Sequence, residues 1–116
     1  MEEKKMYSLE YLQEISGGDE DFIDEMLHDF VNDVPEVLKE IDRYEKEEAW
    51  DKLYNSIHKF APTIAFVGLH SSDAEIDRIE YLAKNNIQVD QIRTLLEKVF
   101  SDVNDTIDQI KRDFNI

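Results

Sequence analysis

His58 is the residue whose type and setting best suit chemistry. It follows Ile57 and precedes Phe60, two apolar positions at the spacing of a helix's inner stripe. Its side chain therefore turns about 100° away from Ile57, to the edge of that stripe. Ala61, Pro62 and Ala65 lie three, four and seven positions onward on the same side, and none carries a side chain that reaches out. An imidazole beside so bare a strip is a nucleophile that a second protein surface can approach closely. A neutral imidazole is an adequate nucleophile toward phosphorus. The same pattern has a plain structural reading: small residues admit a neighbouring helix, and an exposed histidine usually does nothing.

Other groups suggest less. Glu25-Met26-Leu27-His28 has the Glu-x-x-His spacing used in di-iron carboxylate bundles. Such sites need a second motif, and neither His58 nor His70 has a glutamate three residues before it. Asp21, Glu25, His28 and Asn32 share one polar helix face, so His28 reads as a solvated residue and no metal is expected. His70 follows Gly68-Leu69 in a loop and is given no role. No cysteine occurs, which removes thiolate sites and disulfides. No glycine-rich phosphate loop is present, so no nucleotide site is expected. Trp50, Phe60 and Phe66 read as packing, and the many carboxylates as solvated helix faces.

The elements that must position His58 are helices throughout. Ser8 reads as an N-cap before Leu9, Leu12 and Ile15, with Gly17-Gly18 as the stop. From near Asp19, Ile23, Leu27, Phe30, Val34, Val37, Ile41 and Tyr44 recur at steps of four and three. Pro35 should kink this segment without ending it. A third segment carries Trp50, Leu53, Ile57, Phe60, Ile64 and Val67 up to Gly68. A fourth opens at Ser72 with Glu75 at capping-box spacing, carries Ile76, Ile79 and Ala83, and ends near Asn85-Asn86. The last runs from about Asp90 with Ile92, Leu96, Val99, Val103, Ile110 and Phe114 on its inner face. Short polar connections imply antiparallel neighbours. The expected fold is all-α: a single domain over residues 1–116, an up-and-down antiparallel four-helix bundle with a short additional N-terminal helix. Val31, Pro35 and Leu38 form a second apolar line on the second helix. It would be either a docking patch level with His58 or a packing line against the first or last helix.

Charge narrows the partners. Thirteen basic and 28 acidic side chains give a net charge of −15, which repels a phosphate backbone and an anionic membrane surface alike. The apolar share of 41% and the helical periodicity argue against disorder. No stretch approaches the roughly 20 apolar residues of a membrane span. The charged start, Met1-Glu2-Glu3-Lys4-Lys5-Met6, does not lead into an apolar run, so no signal peptide is expected. A cytoplasmic protein is expected, and the initial methionine favours a separate one.

The run from Trp50 to Leu69 resembles the signature of histidine-containing phosphotransfer (HPt) domains. Ile57, His58, Phe60 and Gly68 fit its pattern, with Trp50 in the aromatic place eight before the histidine. The Gly18-Asp19-Glu20-Asp21-Phe22 stretch and the Ile79-Glu80 pair resemble the family's second and fourth helices. Two positions depart from it: Ala61 stands where the family usually has lysine, and Pro62 where it usually has glycine. The resemblance implies a phosphorelay role, in which His58 exchanges a phosphoryl group with an aspartate of a response-regulator receiver domain or a hybrid histidine kinase. It implies no intrinsic cofactor, with Mg²⁺ only on the partner receiver. The docking face would take in Ala61, Pro62, Ala65 and Gly68, with Val31, Pro35 and Leu38 beside them. Lys59 is the candidate neighbour of the phosphate, although it points about 100° away from His58. A monomer is expected, because a partner must reach the third helix. The alternative is a phosphorylation-silent adaptor that binds a receiver or kinase, an option kept open by Ala61.

Overall fold

A computed structural model describes residues 4–116; Met1, Glu2 and Glu3, which open the charged start, lie outside the described residues. The helices are α1 (Glu10–Ser16), α2 (Glu20–Lys46), α3 (Trp50–Phe66), α4 (Asp73–Asn85) and α5 (Ile92–Phe114), the last entered through a 3-10 turn at Val89–Gln91. The protein is all-α, with no strand among the described residues. Packing of α2 on α3, α3 on α4, α4 on α5 and α5 back on α2 closes a ring of four long helices. The short α1 rests against α2.

Local chemistry sets several helix ends. Gly17 takes a left-handed conformation (φ 65°) that ends α1, and Gly18 follows at φ 85°. Asp19 then caps α2, its Oδ1 accepting from the N–H groups of Asp21 (3.0 Å) and Phe22 (3.2 Å). Pro35 sits inside α2, which continues through it to Lys46. Asn86, at φ 52°, closes α4.

Two helices differ in detail from the sequence expectation. The Ser8 Oγ accepts from the Glu10 N–H (3.2 Å), the bond expected of a capping serine, although α1 itself begins at Glu10, after Leu9. Within α1 only Leu12 is buried, while Ile15 is nearly half exposed. Ser72 precedes α4 but forms no capping box. Its buried hydroxyl donates to Asp102 Oδ2 on α5 (2.6 Å), and Glu75 pairs with Lys98 (2.9 Å). Burial works to raise the Asp102 pKa, but hydrogen bonds from Ser72, Lys98 and Ser71 outweigh it and hold the carboxyl below its ordinary value.

The second apolar line of α2 turns inward. Val31 and Leu38 are 5% and 8% exposed and belong to the core, with Pro35 partly buried between them. A ring helix has two neighbours, here α3 and α5, and two apolar lines cover both contacts. This line is packing, and an exposed docking patch beside His58 is not formed from it.

Ahead of α1, the chain straps two helix ends together. Ser8 donates its N–H to the Val67 carbonyl (2.8 Å), Met6 donates to Gln109 Oε1 (2.7 Å), and the Tyr7 hydroxyl donates to Asp113 (2.6 Å). Gly68 sits under this strap at φ 68°, and a Cβ there would lie 2.7 Å from Ser8 atoms. The close approach and the left-handed backbone together account for glycine at this position.

Candidate functional site

Packing of α3 decides which way His58 faces. Leu53, Ile57 and Ile64 are shielded from solvent and Phe60 nearly so. Burial of each is worth about 1.5–3 kcal/mol. Rotating the helix to hide His58 would expose that row. The His58 side chain is therefore 66% exposed, midway along a helix held from behind.

Two contacts orient the ring. His58 Nδ1 lies 3.0 Å from Glu80 Oε1 on α4, whose side chain is 21% exposed. An ionised carboxylate only accepts hydrogen bonds, so Nδ1 carries the proton in this pair and Nε2 keeps its lone pair. Tyr54, one turn earlier on α3, stacks on the ring at 5.5 Å between centroids and 17° between planes. The imidazole thus has one nitrogen engaged, one face covered and the other nitrogen unengaged.

The surroundings come from both helices. Tyr54, His58, Asp77, Glu80, Tyr81, Lys84 and Asn85 line an open depression of about 500 Å³. Antiparallel pairing explains the set: a turn back from His58 reaches Tyr54, and a turn onward from Glu80 reaches Lys84. The Lys84 ammonium lies 5.8 Å from the centre of the Tyr54 ring.

The residues singled out in the sequence divide into groups. Pro62 and Ala65 are exposed on the His58 side of α3, and Ala61 is partly buried. Farther along, Pro62 and Ala65 join Tyr11, Phe66 and His70 around a mainly apolar hollow of about 380 Å³. The ring of Tyr11 of α1 meets that of Phe66 there at a tilt of 56°, with centroids 5.3 Å apart. Lys59 lies on the other flank of α3, lining a groove with Val37, Glu40, Tyr44 and Ser56 of the α2–α3 seam. It is not among the residues around the imidazole. Gly68 belongs beneath the N-terminal strap, and Val31 and Leu38 belong to the core.

Tyr54, Glu80, Lys84 and Tyr11 are the site residues that reasoning from the chain around His58 misses. Tyr54 stands four residues before His58, so helical spacing could have found it. The other three lie on α4 and α1 and need the packing of the bundle.

The remaining histidines are engaged locally. His28 Nδ1 donates to the Asp24 carbonyl (2.9 Å), and His70 Nδ1 pairs with Asp73 (3.0 Å). Among the described residues, no group of three or more His, Cys, Asp or Glu side chains is arranged to hold a metal ion. No helix among them is long and apolar enough to cross a membrane. Compared with known proteins, the chain matches no family model, no curated protein sequence and no solved structure.

Proposed function

We propose that the protein is a phosphorelay component that takes a phosphoryl group on Nε2 of His58 from an aspartyl phosphate and passes it to another. The observation that carries this reading is the exposed imidazole whose Nδ1 is held by Glu80, so that Nε2 presents its lone pair to solvent from a rigid helix. In the forward step the Nε2 lone pair attacks phosphorus. The Nε2–P bond forms, the P–O bond to the partner's aspartate breaks, and the aspartate leaves as a carboxylate. The ring, still protonated at Nδ1, becomes formally cationic, and the Glu80 carboxylate faces that charge. Phosphoryl transfer asks little of a protein beyond alignment and charge neutralisation. A receiver domain of a response regulator or hybrid kinase fits the role of partner, and any Mg²⁺ would belong to its site. The exposed strip of Pro62 and Ala65, continued by Tyr11 and Phe66, offers such a partner an uncharged surface next to the nucleophile. The negative net charge gives no support to nucleic-acid or anionic-membrane partners.

The test uses phosphorylated receiver domains and follows acid-labile label. The wild-type chain is expected to take up label, and His58→Gln to take up none. An exposed substitution of this kind moves stability by no more than about 0.5 kcal/mol, so the helical circular dichroism is expected to stay unchanged. Undiminished labelling of His58→Gln overturns the proposal. Receiver binding without label on the wild type favours a silent adaptor, the reading that Ala61 supports by leaving no cation on α3 beside His58.

A further inference from the structure

We propose that Lys84 on α4 neutralises the phosphoryl group carried by His58, an inference that rests on His58 being the phosphoacceptor. A phosphoryl group on Nε2 would bring a charge of about −1.5 to −2 into a depression that already holds the carboxylates of Asp77 and Glu80. Glu80 faces the ring cation, but ionised carboxylates in the depression repel the phosphoryl oxygens, which have no counter-charge from either of them. Lys84 is the one lysine or arginine among the lining residues, and its ammonium makes no salt bridge among the described residues. Its contact is with the face of Tyr54, the same ring that stacks on His58. A flexible four-carbon stem above that ring can swing toward Nε2 without disturbing another ion pair.

The other nearby cations are placed elsewhere. Arg78 donates to Gln88 (3.0 Å) and lies over Tyr81, toward the end of α4. Lys59 faces the α2–α3 groove. On α3 itself Ala61 supplies no charge, so α4 is the element that brings positive charge to the imidazole. Lys84 exchanges no proton in the transfer; it pairs with phosphoryl oxygens as the Nε2–P bond forms.

The experiment phosphorylates the full chain with phosphoramidate, a donor small enough to need no docking surface, and compares wild type, Lys84→Gln, Lys84→Arg and His58→Gln. Lys84→Gln is expected to slow uptake by about two- to fivefold, the range of an exposed ion pair. It is also expected to raise the second pKa of the phosphoryl group, read from the ³¹P shift against pH, because a nearby cation favours the dianion. Lys84→Arg is expected to restore both. A purely structural role through Tyr54 would leave the ³¹P titration unmoved. Equal uptake and equal titration in wild type and Lys84→Gln overturn the role of Lys84 while leaving His58 as phosphoacceptor. A wild-type chain that takes no label, or a His58→Gln chain labelled as well as wild type, overturns both.

Discussion

Glu80 makes one contact with the His58 ring, and removing its carboxylate isolates what that contact does. In free histidine the Nε2–H tautomer predominates, which would place the proton on the outward nitrogen. The 3.0 Å pair with Glu80 reverses this preference. Glu80→Ala is expected to shift His58 from the Nδ1–H toward the Nε2–H form, as read from ring ¹⁵N shifts in alkaline solution. Identical ¹⁵N spectra in the two proteins would show that the carboxylate does not set the tautomer. Where His58 accepts phosphate, the same variant is expected to slow uptake by about fivefold, equivalent to ~1 kcal/mol. Tyr54 makes a separate contribution: stacking restricts ring rotation without touching either nitrogen.

Among the elements, the turn after α3 shows how backbone conformation and packing constrain one residue together. Gly68→Ala is expected to destabilise the fold by about 1–3 kcal/mol, since the new methyl group meets both a left-handed backbone and Ser8 atoms at 2.7 Å. Chemical denaturation checks this, and an unchanged midpoint would mean the strap yields freely. Much of the element structure was legible in the chain. The glycine pair, the Asp19 cap and the Asn86 stop are local signals, and each fixes a helix end. The inner stripe of α3 was equally plain, which is why the outward direction of His58 could be read. The Ser72–Glu75 spacing suggests a capping box because that motif considers only residues three apart, whereas Asp102 reaches Ser72 from another helix. Val31 and Leu38 could not be assigned because apolar spacing tells that a face exists without telling what covers it. Glu80 enters the sequence reading only within the Ile79-Glu80 pair, and Lys84 not at all, because their place beside His58 depends on the register between α3 and α4, which neither helix encodes alone.

At the scale of the molecule, 28 acidic against 13 basic side chains make self-repulsion the main long-range electrostatic term. Raising salt from 0.01 M to 1 M shortens the Debye length from about 30 Å to about 3 Å. The melting temperature is expected to rise by about 3–8 °C over that range, corresponding to ~1 kcal/mol. A fall in a salt-dependent melt would show instead that pairs such as Arg93–Asp42 and Lys98–Glu75 outweigh the repulsion. A different consequence follows from the N-terminal strap. Consecutive helices meet through short connections, so their pairing closes small loops. The pairs of Lys5 and Tyr7 with Asp113 join residues more than a hundred positions apart, and Ser8 must find Val67 across most of the bundle. Topology makes the strap a late event in folding and an early casualty of unfolding. The amide of Ser8 should accordingly exchange with solvent deuterium by a shallower opening than those of Leu53 or Ile57, giving the protein a loose end latched onto a firm interior.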